Sequence, residues 1–386
     1  MDFREFGIPA PEWKEYVATH PEAATPARLP EEQSASEMQS ETNAQREQMS
    51  ERLIEAEGLE SAVRIQQAEI HFQGESPQDK LTARVYTKVL GEEDLELDKV
   101  AAVVYFHGGG YVFATPDTEQ HLCSLIASKL RVVVVHISYR QAPQHAHPTA
   151  HNDGKAGFEW VVENAERLGV DPEQIVIVGL SSGAGIAAST CLRLCNQEKE
   201  ESHDVWDDGS SSPSREWGEK SDHRKKTEQR KRSGVEEEDT DDGLTDMLGI
   251  EDQSDIWLNV PLAKDAELAK FPRTAFIISG SDLFRDDGIL FADRLKGLGV
   301  PRRVHMFTGM PHAFRKYDDL WSSKRFDEVL LLLINWALDR TVSSMDVGFH
   351  VEQLRKKPQM QGQETRIQNA PFETRFHAVK GDMRRS

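Results

Sequence analysis

From residue 63 onward, short apolar runs alternate with longer stretches of mixed polarity. Val63–Phe72 and Leu81–Leu90 read as strands, the second with Leu81, Ala83 and Val85 on one face of a period-two pattern. Val100–Phe106 is a continuous apolar run, as a strand buried on both faces requires, and Val132–Tyr139 is another. Helical stretches follow them at about 118–130 and 149–167, the latter ending near Gly169. Gln174–Leu180 reads as a strand and 183–195 as a helix; later, strands at Thr274–Ser279 and Val304–Thr308 alternate with helices at 286–297 and 324–340. Such alternation predicts βαβ units, and so an α/β fold with a mostly parallel sheet and helices on both faces.

Three zones depart from this pattern. Residues 1–62 are mostly polar, with one aromatic cluster around Trp13 and Tyr16. Residues 197–242 carry 16 acidic and 9 basic side chains, and only Val205, Trp206, Trp217 and Val235 are apolar. Such a stretch buries too little apolar surface to offset its ordering entropy, so 197–255 is expected to be a disordered or exposed interruption. The last zone, 342–386, reads as a polar tail. The expected organisation is an N-terminal segment 1–62, an α/β domain 63–341 interrupted at 197–255, and the tail.

Composition narrows the function. The 386 residues hold 46 basic and 66 acidic side chains, a net charge of −20, which excludes a globally basic nucleic-acid binder. The basic pair of clusters His223–Lys226 and Arg230–Arg232 lies beside Glu236–Asp242 and reads as a solvated charge tract. Three Cys cannot form a disulfide framework. Met1–Tyr16 has no apolar signal-peptide core, and the strongest aliphatic run, Val329–Ile334, is too short to span a bilayer. The expectation is a soluble cytoplasmic protein. Cys191 and Cys195 read as structural thiols, because no partner pair has metal-ligand spacing. No nucleotide-binding glycine motif is present, so no metal and no cofactor is expected.

The candidate chemistry lies at strand ends. Gly179-Leu180-Ser181-Ser182-Gly183 fits G-x-S-x-G between a strand and a helix, where a nucleophilic serine on a tight turn needs small neighbours. His107-Gly108-Gly109-Gly110 follows the run ending at Phe106; glycines there let main-chain N–H groups approach a developing oxyanion. Asp282 and His312 each follow a later strand, in the chain order Ser, Asp, His that such hydrolases use. Singly, each has a plainer reading: a glycine turn, a cap, one histidine among 14. Their joint placement just past strand ends, where open parallel sheets bind ligands, favours a site.

This constellation resembles the hormone-sensitive-lipase-like family of α/β-hydrolases, the fungal and bacterial carboxylesterases with an HGGG motif. Ser138-Tyr139-Arg140-Gln141-Ala142-Pro143-Gln144-His145 resembles the family's D-Y-R-L-A-P-E-H, with Pro148, Asp153 and Trp160 at its following positions. Asp282–Gly288 resembles D-P-L-R-D-E-G, and His312-Ala313-Phe314 resembles H-G-F. The resemblance covers about 81–195 and 257–340. Leu180, Gln141, Gln144 and Leu283 depart from it. So does the absence, between Cys195 and Ile256, of any apolar run able to form the family's next interior strand and half of its cap.

The resemblance implies an α/β-hydrolase fold with an N-terminal cap from residues 1–62, and Trp13 to Tyr16 near the acyl pocket. It implies a serine esterase acting on a small-molecule carboxylic ester of short-to-medium acyl length. Ser181, Asp282 and His312 would form the triad, and the N–H groups of Gly109, Gly110 and Ser182 the oxyanion hole. His107, Gly108, Gly179 and Gly183 would support the motifs. The open alternatives are an inactive homologue or small-molecule-binding protein, given the missing strand, and a peptidase or amidase.

Overall fold

In a computed structural model, which describes residues 3–24, 35–71, 80–91, 99–197, 248–250, 252, 254–339 and 349–352, the apolar runs become two β-ladders. The first comprises β1 (Val63–Ile70), β2 (Leu81–Lys88), β3 (Val100–Phe106), β4 (Val133–Ser138) and β5 (Val170–Gly179), in the spatial order β1-β2-β4-β3-β5. β1 pairs antiparallel with β2, and β2 with β4, whereas β3 runs parallel to both β4 and β5. The second holds β6 (Thr274–Ser281), β7 (Arg302–Pro311) and β8 (Phe349–Glu352), all parallel.

The continuous runs lie at the centre. Ala101–Phe106 and Val133–Ile137 are each no more than 2% exposed. Period two divides their side chains between two layers. Val103, Tyr105 and Val134 pack with Leu122 and Ile126 of α3 (Gln120–Leu130) and with Leu330 and Ile334 of the C-terminal helix Trp321–Ala337. Val104, Phe106 and Val135 face Ala150 and Val161 of α4 (Thr149–Glu163) and Ile186 of α6 (Ser182–Cys195). The helix expected over 149–167 breaks at Asn164, and a short α5 (Ala165–Leu168) follows. The Asn164 side-chain amide donates to Trp160 O, a local bond that competes with helix continuation. Three further helices are α7 (Asp265–Leu268), α8 (Arg285–Gly297) and α9, the C-terminal helix already given.

Among the described residues no strand lies between β5 and β6. The two strands do not re-pair with each other to close that gap. Ile175–Ile177 and Ala275–Ile277 are only half-buried, unlike their counterparts in β3 and β4. Helices join the halves instead. Val176, Val178 and Ile277 share one apolar cluster with α9, and Leu192 of α6 shares another with Phe276.

Two expectations need correction at their edges. The charged interruption does not run to residue 255: Leu248 is buried against Val112 and Ala142, and His147 Nε2 pairs with Asp255 at 2.8 Å. The sequence gives the reason, since apolar residues resume at Leu248 and Ile250. Residues 198–247 lie outside the described residues. Nor is the tail wholly patternless, because Phe349–Glu352 adds a strand beside Val304–Phe307. Four residues are too few for a periodicity to be read; residues 353–386 lie outside the description.

The N-terminal residues form α1 (Pro11–Thr19) and α2 (Ala35–Glu57). Before α1 the chain crosses the ends of β6 and β7: Ser281 Oγ donates to Gly7 O, and Ala10 N–H to Gly309 O. Trp13 and Tyr16 pack against Tyr317 and share an apolar cluster with Met310 and Phe314, on either side of His312. Glu12 accepts from Trp321 N–H at 2.6 Å and so caps α9.

Candidate active site

Ser181 sits between β5 and α6 with φ of 50°, a left-handed conformation that a non-glycine adopts only under constraint. The constraint is close main-chain approach. A Cβ on Gly179 would lie 2.1 Å from Gly183 O, and one on Gly183 would lie 2.2 Å from Phe106 O. Both positions must therefore be glycine. Leu180, where the resembled family has Asp, donates its N–H to Phe106 O at 3.2 Å, tying the turn to β3.

Asp282 and His312 reach this serine from the second ladder. His312 Nε2 lies 2.9 Å from Ser181 Oγ, and His312 Nδ1 lies 2.6 Å from Asp282 Oδ2. Asp282 Oδ1 accepts from Phe284 N–H at 2.9 Å, so both carboxylate oxygens are held. Asp282 is nearly covered, with 11% of its side chain exposed, whereas His312 and Ser181 are open to solvent. Apolar Leu283 and Phe284 stand exposed beside them.

The loop after β3 brings Gly108 against the same turn: a Cβ there would lie 2.8 Å from Leu180 O. Gly109 and Gly110 both have positive φ. Among the described residues, the N–H groups of Gly109, Gly110 and Ser182 have no hydrogen-bond acceptor, while Gly183 N–H is used by Leu180 O. Ser182 N–H lies on the serine turn itself and the other two on the loop that packs against that turn through Gly108, and unengaged donors so placed can hold an anionic oxygen.

His107 opens that loop and is fully buried. Its ring stacks on Tyr139, and its Nδ1 lies 2.8 Å from His136 Nε2. Burial drives His107 well below the ordinary histidine range and holds His136 at about 3, so both rings are neutral. Tyr139 OH donates to His107 O, and Asp153, itself buried, binds the Arg140 guanidinium and backbone N–H. Beside the loop lies a small pocket lined by Tyr111, Ala142, His147, His151, Leu248 and Leu258 among others.

The structure thus brings Ser181, Asp282, His312, Gly109, Gly110 and Ser182 together, with His107, Gly108, Gly179 and Gly183 supporting the two turns. Cys191 is not a reactive thiolate, because burial pushes its thiol up to about 12. Among the described residues no group of His, Cys, Asp or Glu is placed to hold a metal ion, and no helix is long and apolar enough to cross a membrane. Sequence reasoning missed the buried His136. It also missed Gln39 and Asn43, whose amides reach the loop from α2.

Comparison with known proteins shows the family and the fold. Residues 103–316 match a family described as having the alpha/beta hydrolase fold. The chain is similar to versiconal hemiacetal acetate esterase of Dothistroma septosporum, 31% identical over 61% of this chain and 72% of that protein. It is similar to ethyl acetate hydrolase of Pseudomonas putida, 39% identical over 26% of this chain and only 31% of that protein. Among solved structures, an esterase of Pyrobaculum calidifontis superposes with a TM-score of 0.60, covering 87% of this chain and 100% of that one at 22% identity.

Proposed function

Because the chain belongs to the α/β-hydrolase family, in its hormone-sensitive-lipase-like carboxylesterase branch, we propose that it cleaves small carboxylic esters through Ser181, His312 and Asp282. The observation that carries this reading is the hydrogen-bonded chain Asp282–His312–Ser181, 2.6 and 2.9 Å long.

The mechanism follows from those contacts. Asp282 accepts from His312 Nδ1, which leaves Nε2 unprotonated and facing Ser181 Oγ. As Oγ attacks the ester carbonyl, Nε2 takes its proton, and Asp282 stabilises the resulting imidazolium. The carbonyl oxygen becomes an oxyanion received by the N–H groups of Gly109, Gly110 and Ser182. Each such donor is worth about 10²–10³ in rate. His312 then protonates the departing alcohol, and a water deprotonated by the same ring releases the acid. None of these steps calls on a metal or an organic group.

Two of the similar proteins are named for acetate esters, which supports short acyl chains. The open setting of Ser181 and His312 supports a small substrate bound with little burial. A second reading, an inactive homologue that binds small molecules, is supported by the edges of β5 and β6 that have no strand partner among the described residues.

Treating the full chain with a fluorophosphonate and mapping the adduct by peptide mass spectrometry decides between them. The esterase reading expects labelling at Ser181 that is lost in His312→Ala. A folded chain left unlabelled would favour the second reading.

A further inference from the structure

The loop that leads from β3 to α3 is strained. Besides Gly109 and Gly110, Tyr111 and Ala114 have φ of 63° and 85°. Both carry a Cβ, so this conformation persists only where the surroundings over-determine it. Val112 and Phe113 N–H groups turn back to Gly109 O, which leaves the carbonyls of Val112, Phe113 and Ala114 and the Ala114 N–H without partners in regular structure.

Three side-chain amides supply all four partners. Gln141 Nε2 lies 2.8 Å from Ala114 O, 3.1 Å from Phe113 O and 2.8 Å from His107 Nε2. Gln39 Nε2 donates to Val112 O at 2.8 Å and to Ala142 O at 3.0 Å. Asn43 Oδ1 accepts from Ala114 N–H at 2.8 Å. The two carbonyls facing Gln141 fix which way its amide points, since an oxygen there would face two oxygens. The amide has two hydrogens for three acceptors, so one is shared; because an NH₂ group cannot accept, His107 Nε2 is the unprotonated ring nitrogen, and the ring proton resides on Nδ1, directed at His136 Nε2. Gln141 thus holds both the first residue of the loop and its last two.

On α2 the pattern continues. Glu47 accepts from Thr115 Oγ1 at 2.8 Å, and Ser50 Oγ accepts from His121 N–H at 3.0 Å. Residues 39, 43, 47 and 50 share one helix face, and that face runs along 112–121.

We propose that Gln39, Asn43 and Gln141 are positioning residues of the oxyanion hole. They clasp loop 107–114 in the strained conformation that presents the Gly109 and Gly110 N–H groups to Ser181. The proposal rests on the esterase reading for its catalytic consequence, and on contacts alone for its structural one.

The test compares Asn43→Leu and Gln141→Leu with Asn43→Asp, which keeps an acceptor for Ala114 N–H. On p-nitrophenyl butyrate the Leu variants should lose about 10- to 100-fold in kcat with KM changed less than about twofold, because a hole misplaced by a fraction of an ångström harms the transition state alone. Asn43→Asp should stay within about threefold of wild type. A second readout needs no turnover: deuterium exchange in a peptide spanning 108–116 should accelerate about tenfold in the Leu variants. Asn43→Ala and Gln141→Ala replace any Leu variant that does not fold. Unchanged kcat, or a fall in kcat without faster exchange, would overturn the proposal. If the wild type turns over no ester, the esterase reading fails, and exchange alone decides whether the clasp exists.

Discussion

Ser181 Oγ and His312 Nε2 lie 2.9 Å apart, although β5 and β7, the strands that deliver them, belong to ladders with no hydrogen bond between them among the described residues. Their alignment rests on apolar packing through α6 and α9 and on the N-terminal residues that cross β6 and β7. The site is thus assembled from two halves, and its chemistry reports on how well they are held.

Asp282→Asn tests the role of the carboxylate. The Asn oxygen would keep the bond from Phe284 N–H and turn its NH₂ towards His312 Nδ1. That forces the proton onto Nε2, where it cannot accept from Ser181. The expected result is a fall in kcat of about 10⁴-fold with unchanged circular dichroism. A loss below tenfold in steady-state ester hydrolysis would remove Asp282 from the triad.

Gly183→Ala tests the turn. The added Cβ would lie 2.2 Å from Phe106 O and 2.5 Å from His107 O, both main-chain atoms of the strand and loop that the site is built on. Backbone must shift, at about 1–3 kcal/mol in stability. A nucleophile displaced by about 1 Å costs on the order of 10² in rate. Denaturant unfolding and fluorophosphonate labelling rate, measured side by side, should both show the loss.

The residues that carry the proposed reaction were legible because each stands in a short motif at a strand end. Val100–Phe106 was legible to the residue, since a strand buried on both faces has no polar position to blur its limits. The clasp was not. Gln39 and Asn43 lie on a helix whose exposed and contacting faces are both polar, and their partners are backbone groups about 70 positions away. Gln141 appeared only as a departure from Leu, and its meaning depends on where two carbonyls point. Leu248 was hidden by the charge of the residues before it.

The buried histidines set a pH limit on stability. Burial holds His136 and His151 at about 3 and drives His107 down as well. Above the ordinary value of about 6.5 neither the folded nor the unfolded chain binds protons at these rings, so stability is full. Below it the unfolded chain takes up protons that the fold refuses, and stability falls towards pH 3 by about 1.4 kcal/mol per pH unit for each ring. Among the described residues both His151 ring nitrogens lack hydrogen-bond partners, so His151→Leu orphans nothing there. Its unfolding free energy should fall less steeply below pH 6 than wild type, by about one proton's slope. An unchanged slope would mean that the ring is protonated in the fold.

The gap between the ladders makes the last prediction. β3 and β4 are paired on both sides, whereas β5 pairs only with β3, and β6 only with β7, among the described residues. In a strand the amides alternate sides, so about half of those in Ile175–Val178 and Ala275–Ile278 should lack a ladder acceptor. Unpaired, and half-buried over Ile175–Ile177 and Ala275–Ile277, they should exchange with solvent through local opening, whereas Val103–Tyr105 and Val134–His136 should exchange only near global unfolding. Site-resolved hydrogen exchange on the full chain should therefore show two classes within β5 and one within β4. Uniform slow exchange in β5 would mean that a further stretch of the chain occupies the slot and completes a continuous sheet. The two halves of the site would then be joined by hydrogen bonds as well as by helices, and Ser181 and His312 would be aligned more rigidly than packing alone allows.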